Sequence, residues 1–252
     1  MKKIMISALA ASTLAFAGGD IAPVEPVVVT PVETVQGWEY GAEIYLWGAS
    51  IDGTTGSGVP LSIDFNDILD NLRMAGMGAF AARYDKWTLI ADIIYMDVNK
   101  KNLDVPVGPG PVVSLNSLGM KSWRIQPLVT YAVHETDTDR FELVAGARYM
   151  SLEVPVGFSD PIGKVSPSDD AWNGVVGLRG THNFTDKWAG TYYLDIGTGD
   201  SDSTWQGIAG LEYKFDSFSL HGGYRHLEWD HGGAAIDDLS LGGVFLGAKF
   251  IF

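Results

Sequence analysis

Counted back in twos from the carboxyl terminus, Phe252, Phe250, Ala248, Leu246, Val244 and Gly242 form an unbroken apolar or small-residue face. Ile251, Lys249, Gly247, Phe245 and Gly243 form the opposite, mixed face. Period-two alternation of this kind predicts a β-strand with hydrocarbon on one side and a mixed interior on the other. The same pattern recurs along the chain from Trp38 onward. It marks ten strands, at roughly 38–51, 71–84, 86–98, 121–134, 139–153, 170–184, 186–197, 203–215, 217–229 and 239–252, with eight or twelve as alternatives if a loop is misread. The connections alternate too. Tight polar turns at 84–87, 134–140, 184–188 and 214–218 face longer segments at 52–70, 99–120, 154–169, 198–202 and 230–238 that are rich in Gly, Pro and Asp.

The charges decide what the alternation means. With Trp38, Tyr40, Ile44 and Leu46 set outward, parity sends Glu39, Glu43, Arg73, Arg83, Asp92, Arg124, Glu142, Arg148, Arg179, Asp195, Glu212, Arg225 and Lys249 inward. Through the middle of all ten strands no charge falls on the outward face. An Arg or Lys facing lipid at the midplane costs roughly 2 to 4 kcal/mol, which explains the bias. A soluble sandwich would also alternate, around a shared apolar core. The tryptophans separate the two: Trp38, Trp87 and Trp188 open strands at the short-turn end, and Trp123, Trp172 and Trp205 open strands at the long-loop end. Two aromatic girdles flanking an apolar band fit a bilayer. From Trp123 to Tyr131 the strand rises roughly 27 Å, or about 20 Å along the normal at a tilt of about 40°. The expected fold is all-β, an antiparallel transmembrane β-barrel of about ten strands with short periplasmic turns and longer extracellular loops.

Composition refines this picture. Residues 1–17 carry Lys2 and Lys3, an apolar run from Ile4 to Phe16 and an Ala-Phe-Ala site, the pattern of a secretory signal peptide. The run is shorter than the roughly 20 residues a spanning helix needs. Residues 18–36 form a Pro-rich segment read as a tether or periplasmic tail, with a plug folded into the lumen as the alternative. The barrel occupies 37–252. No cysteine is present, so no disulfide contributes. A formal net charge of -14 argues against nucleic acid as a partner. The final amphipathic strand ending on Phe250 and Phe252 resembles the assembly signal of Gram-negative outer-membrane β-barrels. That resemblance implies location in the outer membrane and partners in the assembly machinery, the lipid bilayer and lipopolysaccharide.

The inward charges nearly balance. In a narrow ten-stranded lumen, long Arg and Glu side chains pair across the interior and plug it, or they line a narrow porin-like channel. No motif calls for a cofactor or a metal. Residues His226, Glu228, Asp230, His231, Asp237, Asp238 and Asp97 gather at the rim, where outer-membrane proteases place acidic and Asp-His pairs; the similarity is of residue type only. No catalytic residue is therefore assigned, and an enzyme is not expected. Acidic loops carrying Asp52, Asp64, Asp67, Asp70, Asp169, Asp170, Asp200 and Asp202 offer ligands to divalent cations that bridge lipopolysaccharide. Phe65, Ile68, Leu69 and Leu72 have helical spacing after Asp64, a candidate N-cap. With Trp47 to Gly53 (WGASIDG), this Phe-x-Asp-Ile-Leu element resembles a family of uncharacterised outer-membrane barrel proteins. The resemblance implies fold and location and brings no substrate.

Overall fold

The computed structural model describes residues 37–252 apart from 57, 59, 107–111, 159–162 and 234–235. The signal-peptide and Pro-rich readings fall on residues 1–36, outside the described residues. In chain order the elements are β1 (Glu39–Thr54), β2 (Pro60–Ile63), α1 (Phe65–Asn71), β3 (Leu72–Tyr84), β4 (Trp87–Pro106), β5 (Val112–Glu135), β6 (Asp139–Glu153), β7 (Val156–Gly157), β8 (Lys164–Val165), β9 (Ser168–Asn183), β10 (Trp188–Gly199), β11 (Ser203–Lys214), β12 (Ser219–Asp230) and β13 (Asp238–Ile251).

Ten of these strands pair antiparallel in the ring β4-β3-β1-β13-β12-β11-β10-β9-β6-β5, and β5 pairs back onto β4. The β4–β5 pairing closes the ring, although β1 and β3 share a ladder only from Glu39↔Arg83 to Ile44↔Gly78 and the β5–β6 ladder is interrupted at Gln126 and Pro127. The first and last strands make the seam, in register from Gly41↔Ile251 to Thr54↔Asp238. Beyond it, Tyr40 and Phe252 exchange backbone hydrogen bonds of 3.1 and 2.9 Å.

Side chains follow the parity expected from the sequence. Ile44 is 70% exposed, Leu46 71% and Val244 66%, on the outside of the wall. At the short-turn end Trp38 packs on Tyr84 (ring centroids 5.4 Å), Trp87 on Tyr131 (4.7 Å) and Trp188 on Tyr213 (4.8 Å). At the other end Trp123 packs on Tyr95 (4.6 Å), Trp172 on Tyr149 (4.9 Å) and Trp205 on His226 (4.9 Å). Each tryptophan thus sits beside an aromatic ring of the neighbouring strand, forming two belts around an apolar band. Phe252 stacks on Tyr40 and Phe250 approaches Phe218, extending the lower belt over the seam. Among the described residues no helix is long and apolar enough to cross a membrane, a fact silent on strands.

Three expectations need correction. Residues 99–120 are largely not a loop: β4 and β5 continue past the upper belt as a hairpin to Pro106↔Val112. Leu103 pairs with Leu115 and Val105 with Val113 along this ladder, which the Gly- and Pro-rich sequence between the two strands concealed. The connection expected at 198–202 shrinks to 200–202 between β10 and β11. It turns tightly because Ser201 folds inward, its N–H donating to Asn173 Oδ1 at 3.2 Å and its Oγ accepting from Asn173 Nδ2 at 3.0 Å. Asp64 takes the N-cap position of α1 expected of it, with extended backbone and without a side-chain cap hydrogen bond. Arg73, expected in the lumen, lies at a register shift between Leu72 and Met74, where strict alternation is interrupted, and is exposed.

The long-loop half of the lumen is apolar. Trp47, Ile51, Ile94, Met120, Leu152, Leu227 and Trp229 fill it as one buried cluster with Ile68 of α1. A barrel this narrow packs its interior with side chains, and apolar ones avoid the desolvation cost of charges. The helix straddles the rim. Its Ile68 closes the lumen from above, while the Phe65 ring lies so near Gly48, on the outward face of β1, that a Cβ there would stand 3.0 Å from it.

Candidate functional site

The charged residues gather in the middle and lower lumen. Asp92 on β4 accepts from Arg124 of β5 and Arg225 of β12, each at 2.7 Å, and from the Tyr45 hydroxyl of β1 at 2.5 Å. Gln206 of β11 joins the same two arginines through its Oε1, accepting from Arg124 Nη2 at 2.8 Å and Arg225 Nη2 at 2.9 Å. The Arg225 guanidinium also lies 4.9 Å from the centre of the Trp47 ring, a cation–π contact facing the apolar plug.

Beside this group, Arg148 Nη2 of β6 reaches both carboxylate oxygens of Asp195 on β10, at 2.5 and 2.6 Å, and its Nη1 donates to Thr204 of β11 at 2.7 Å. Asp195 takes further bonds from Gln126 at 2.8 Å and from the Tyr193 hydroxyl. These two groups draw on β1, β4, β5, β6, β10, β11 and β12, so they tie opposite walls together across the barrel. Side-chain exposure is nil for Arg148 and Asp195, 4% for Arg124 and Arg225, and 15% for Asp92. Charges so far from water persist only when paired and hydrogen-bonded. Two donors, Nε of Arg124 and of Arg148, are buried without an acceptor.

Below this layer the pairs loosen. Glu142 accepts from Thr130 at 2.7 Å and pairs with Arg179 at 3.1 Å and Arg140 at 3.3 Å. Lys249 meets Glu212 at 3.4 Å, and His221 meets Glu43 at 3.0 Å. Arg179 and Lys249 retain about a third of their exposure, at 33% and 34%. Between them and the central layer lies a cavity of about 220 Å³, lined by Glu43, Arg179, Thr191, Glu212, His221 and Lys249. A smaller one of about 50 Å³ sits above the layer among Met77, Met96, Met120 and Met150. At the lower lip Arg83 bridges Glu135 at 2.8 Å and Glu39 at 3.5 Å. Past the lower belt, Asp139 is held below the usual carboxylate range by the hydroxyl of Thr138 and by His182, each at 2.6 Å.

Of the thirteen inward charges expected from parity, eleven enter ion pairs with Arg, Lys, Asp or Glu, Glu43 meets the His221 ring, and Arg73 joins none of these pairs. Alternation also set Tyr45, Gln126 and Gln206 inward, but gave no sign that these neutral groups complete the central layer. The signal for them is positional: they fall at the height of Asp92, Arg124 and Asp195 once the strands are in register (Asp92↔Gln126, Asp195↔Gln206). The rim cluster does not assemble. His226 pairs with Glu228, which also accepts from Trp205 Nε1 at 2.7 Å, whereas His231 stacks on Trp229 at 4.5 Å. Among the described residues no group of three or more His, Asp or Glu side chains converges as a metal site.

Neither a protein-family model nor a curated protein sequence matches the chain. Solved structures do resemble it. The outer-membrane protease OmpT of Escherichia coli is 10% identical over 86% of this chain and 98% of its own, with a TM-score of 0.49. The translocator domain of the autotransporter NalP of Neisseria meningitidis is 12% identical over 88% and 90%, with a TM-score of 0.46. The attachment invasion locus protein Ail of Yersinia pestis is 13% identical over 86% and 99%, with a TM-score of 0.38. The barrel assignment stands on this chain's own strand pairing, and no activity is carried over from these proteins.

Proposed function

We propose that this chain is an integral outer-membrane β-barrel protein of a Gram-negative bacterium whose lumen is closed, and that it serves the envelope through its fold and its loops. The membrane setting is supported by the outward apolar band and the paired aromatic belts. One observation carries the closed lumen. The arginines and aspartates of the central layer reach from wall to wall in mutual contact, with side chains no more than 15% exposed. An ion crossing would have to break these pairs and then pass the apolar cluster above them. Proposed partners are the assembly machinery, the bilayer and lipopolysaccharide, with divalent cations at the acidic loops.

Single-channel recording of the refolded protein in a planar bilayer tests this. A silent bilayer is expected, with insertion confirmed by heat-modifiable gel mobility. Discrete, long-lived steps would refute the closed lumen and establish the porin-like alternative.

A further inference from the structure

Three side chains of the lower cavity stand in line. Thr191 Oγ1 of β10 lies 2.9 Å from His221 Nε2 of β12, and His221 Nδ1 lies 3.0 Å from Glu43 Oε1 of β1. These strands are not neighbours: β11 separates the first two, and β13 the last two. Glycine clears each crossing. A Cβ at Gly210 would stand 3.0 Å from His221 Nε2 and 3.2 Å from Thr191 Oγ1, and one at Gly247 would stand 3.0 Å from Glu43 Oε1. The side chains of His221 and Glu43 keep 16% and 20% exposure, so the line meets the open cavity, unlike the sealed Arg148–Asp195 pair above it.

A structural ion pair needs only the carboxylate and the imidazole. Here the second ring nitrogen is also engaged, by a hydroxyl. With Glu43 accepting the proton on Nδ1, the Nε2 lone pair is left facing Thr191, which is the order nucleophile, base, orienting acid. We propose that Thr191, His221 and Glu43 form an acyl-transfer site that cleaves small carboxylic esters reaching the cavity from the short-turn end. The Thr191 oxygen bonds to the ester carbonyl carbon as its proton passes to His221 Nε2. The carbon–oxygen bond to the alcohol then breaks, and the same proton leaves with the alkoxide. Water, deprotonated in turn by His221, bonds to the acyl carbon; the bond from that carbon to the Thr191 oxygen breaks, the oxygen takes the proton back from His221, and the free acid leaves.

Arg179, held by Glu142, and Lys249, held by Glu212, line the same cavity and bring positive charge to its wall. A cavity of about 220 Å³ restricts the substrate to short acyl and alcohol groups. The site lies on the open side of the central layer, so it stands whether or not that layer passes ions.

The test uses the refolded full chain and p-nitrophenyl acetate. Phenolate release above the uncatalysed rate is expected, with an acetyl adduct mapping to Thr191 by mass spectrometry. Thr191→Val, which keeps the branched shape, and His221→Gln should each lower the catalysed rate by roughly 100-fold, the contribution usual for a positioned base. Folding of both variants is checked by heat-modifiable mobility. A wild-type rate no higher than that of Thr191→Val, or an adduct on another residue, would overturn the proposal.

Discussion

Replacing Asp195 by Asn tests what the central layer contributes to the fold. The exchange keeps the shape of the side chain and removes its charge. Arg148, with no exposed side-chain surface, then has no counter-charge within the 2.5 to 2.6 Å contacts it now makes. Two unit charges about 4 Å apart attract by about 4 kcal/mol at an effective dielectric of about 20. Breaking a buried pair by removing one partner costs about 3 to 5 kcal/mol. The expected loss is therefore about 3 to 5 kcal/mol, read as the shift in urea unfolding of the refolded protein in vesicles, followed by tryptophan fluorescence. The double variant Arg148→Met with Asp195→Leu removes both charges and should recover most of that loss, since apolar replacement of a whole buried pair is often neutral. An Asp195→Asn cost below about 1 kcal/mol, or a double variant no more stable than the single one, would refute the claim that the pair is held only by mutual compensation.

Leu46 is 71% exposed on the outward face, so Leu46→Arg should cost roughly 2 to 4 kcal/mol in vesicles; an equal cost in the lipid-free state would refute a lipid-facing wall. Asp139 titrates below its unfolded value because Thr138 and His182 hydrogen-bond its charged form. Its contribution is fully present above about pH 4, the unfolded value, and disappears as pH falls through the lower folded value. The stability gap between wild type and Asp139→Asn should accordingly close on acidification, and a gap that widens would contradict the assignment.

The residue pattern by itself determined the wall. Every lipid-facing position must be apolar and every charge must point in, so a repeat of two written into Ile44 and Leu46 against Glu43 and Tyr45 is enough to set strand, face and depth. The belts were legible for the same reason, because Trp87 and Trp123 mark the two interfaces where one end of the ring is dry and the other wet. Parity could not say which strands would be opposite one another. That depends on ring closure and stagger, which bring Asp92 on β4 to Arg225 on β12 and Arg148 on β6 to Asp195 on β10. Nor did alternation distinguish an apolar interior from a polar one, since Trp47 and Met120 face inward as legitimately as Arg124 does; only packing in three dimensions shows that the upper lumen is filled. The line from Thr191 to Glu43 was invisible for a sharper reason. It crosses five strands of the ring, over glycines whose meaning is a missing Cβ. Local chemistry therefore fixed which way each side chain points, and closure of the barrel decided what it meets.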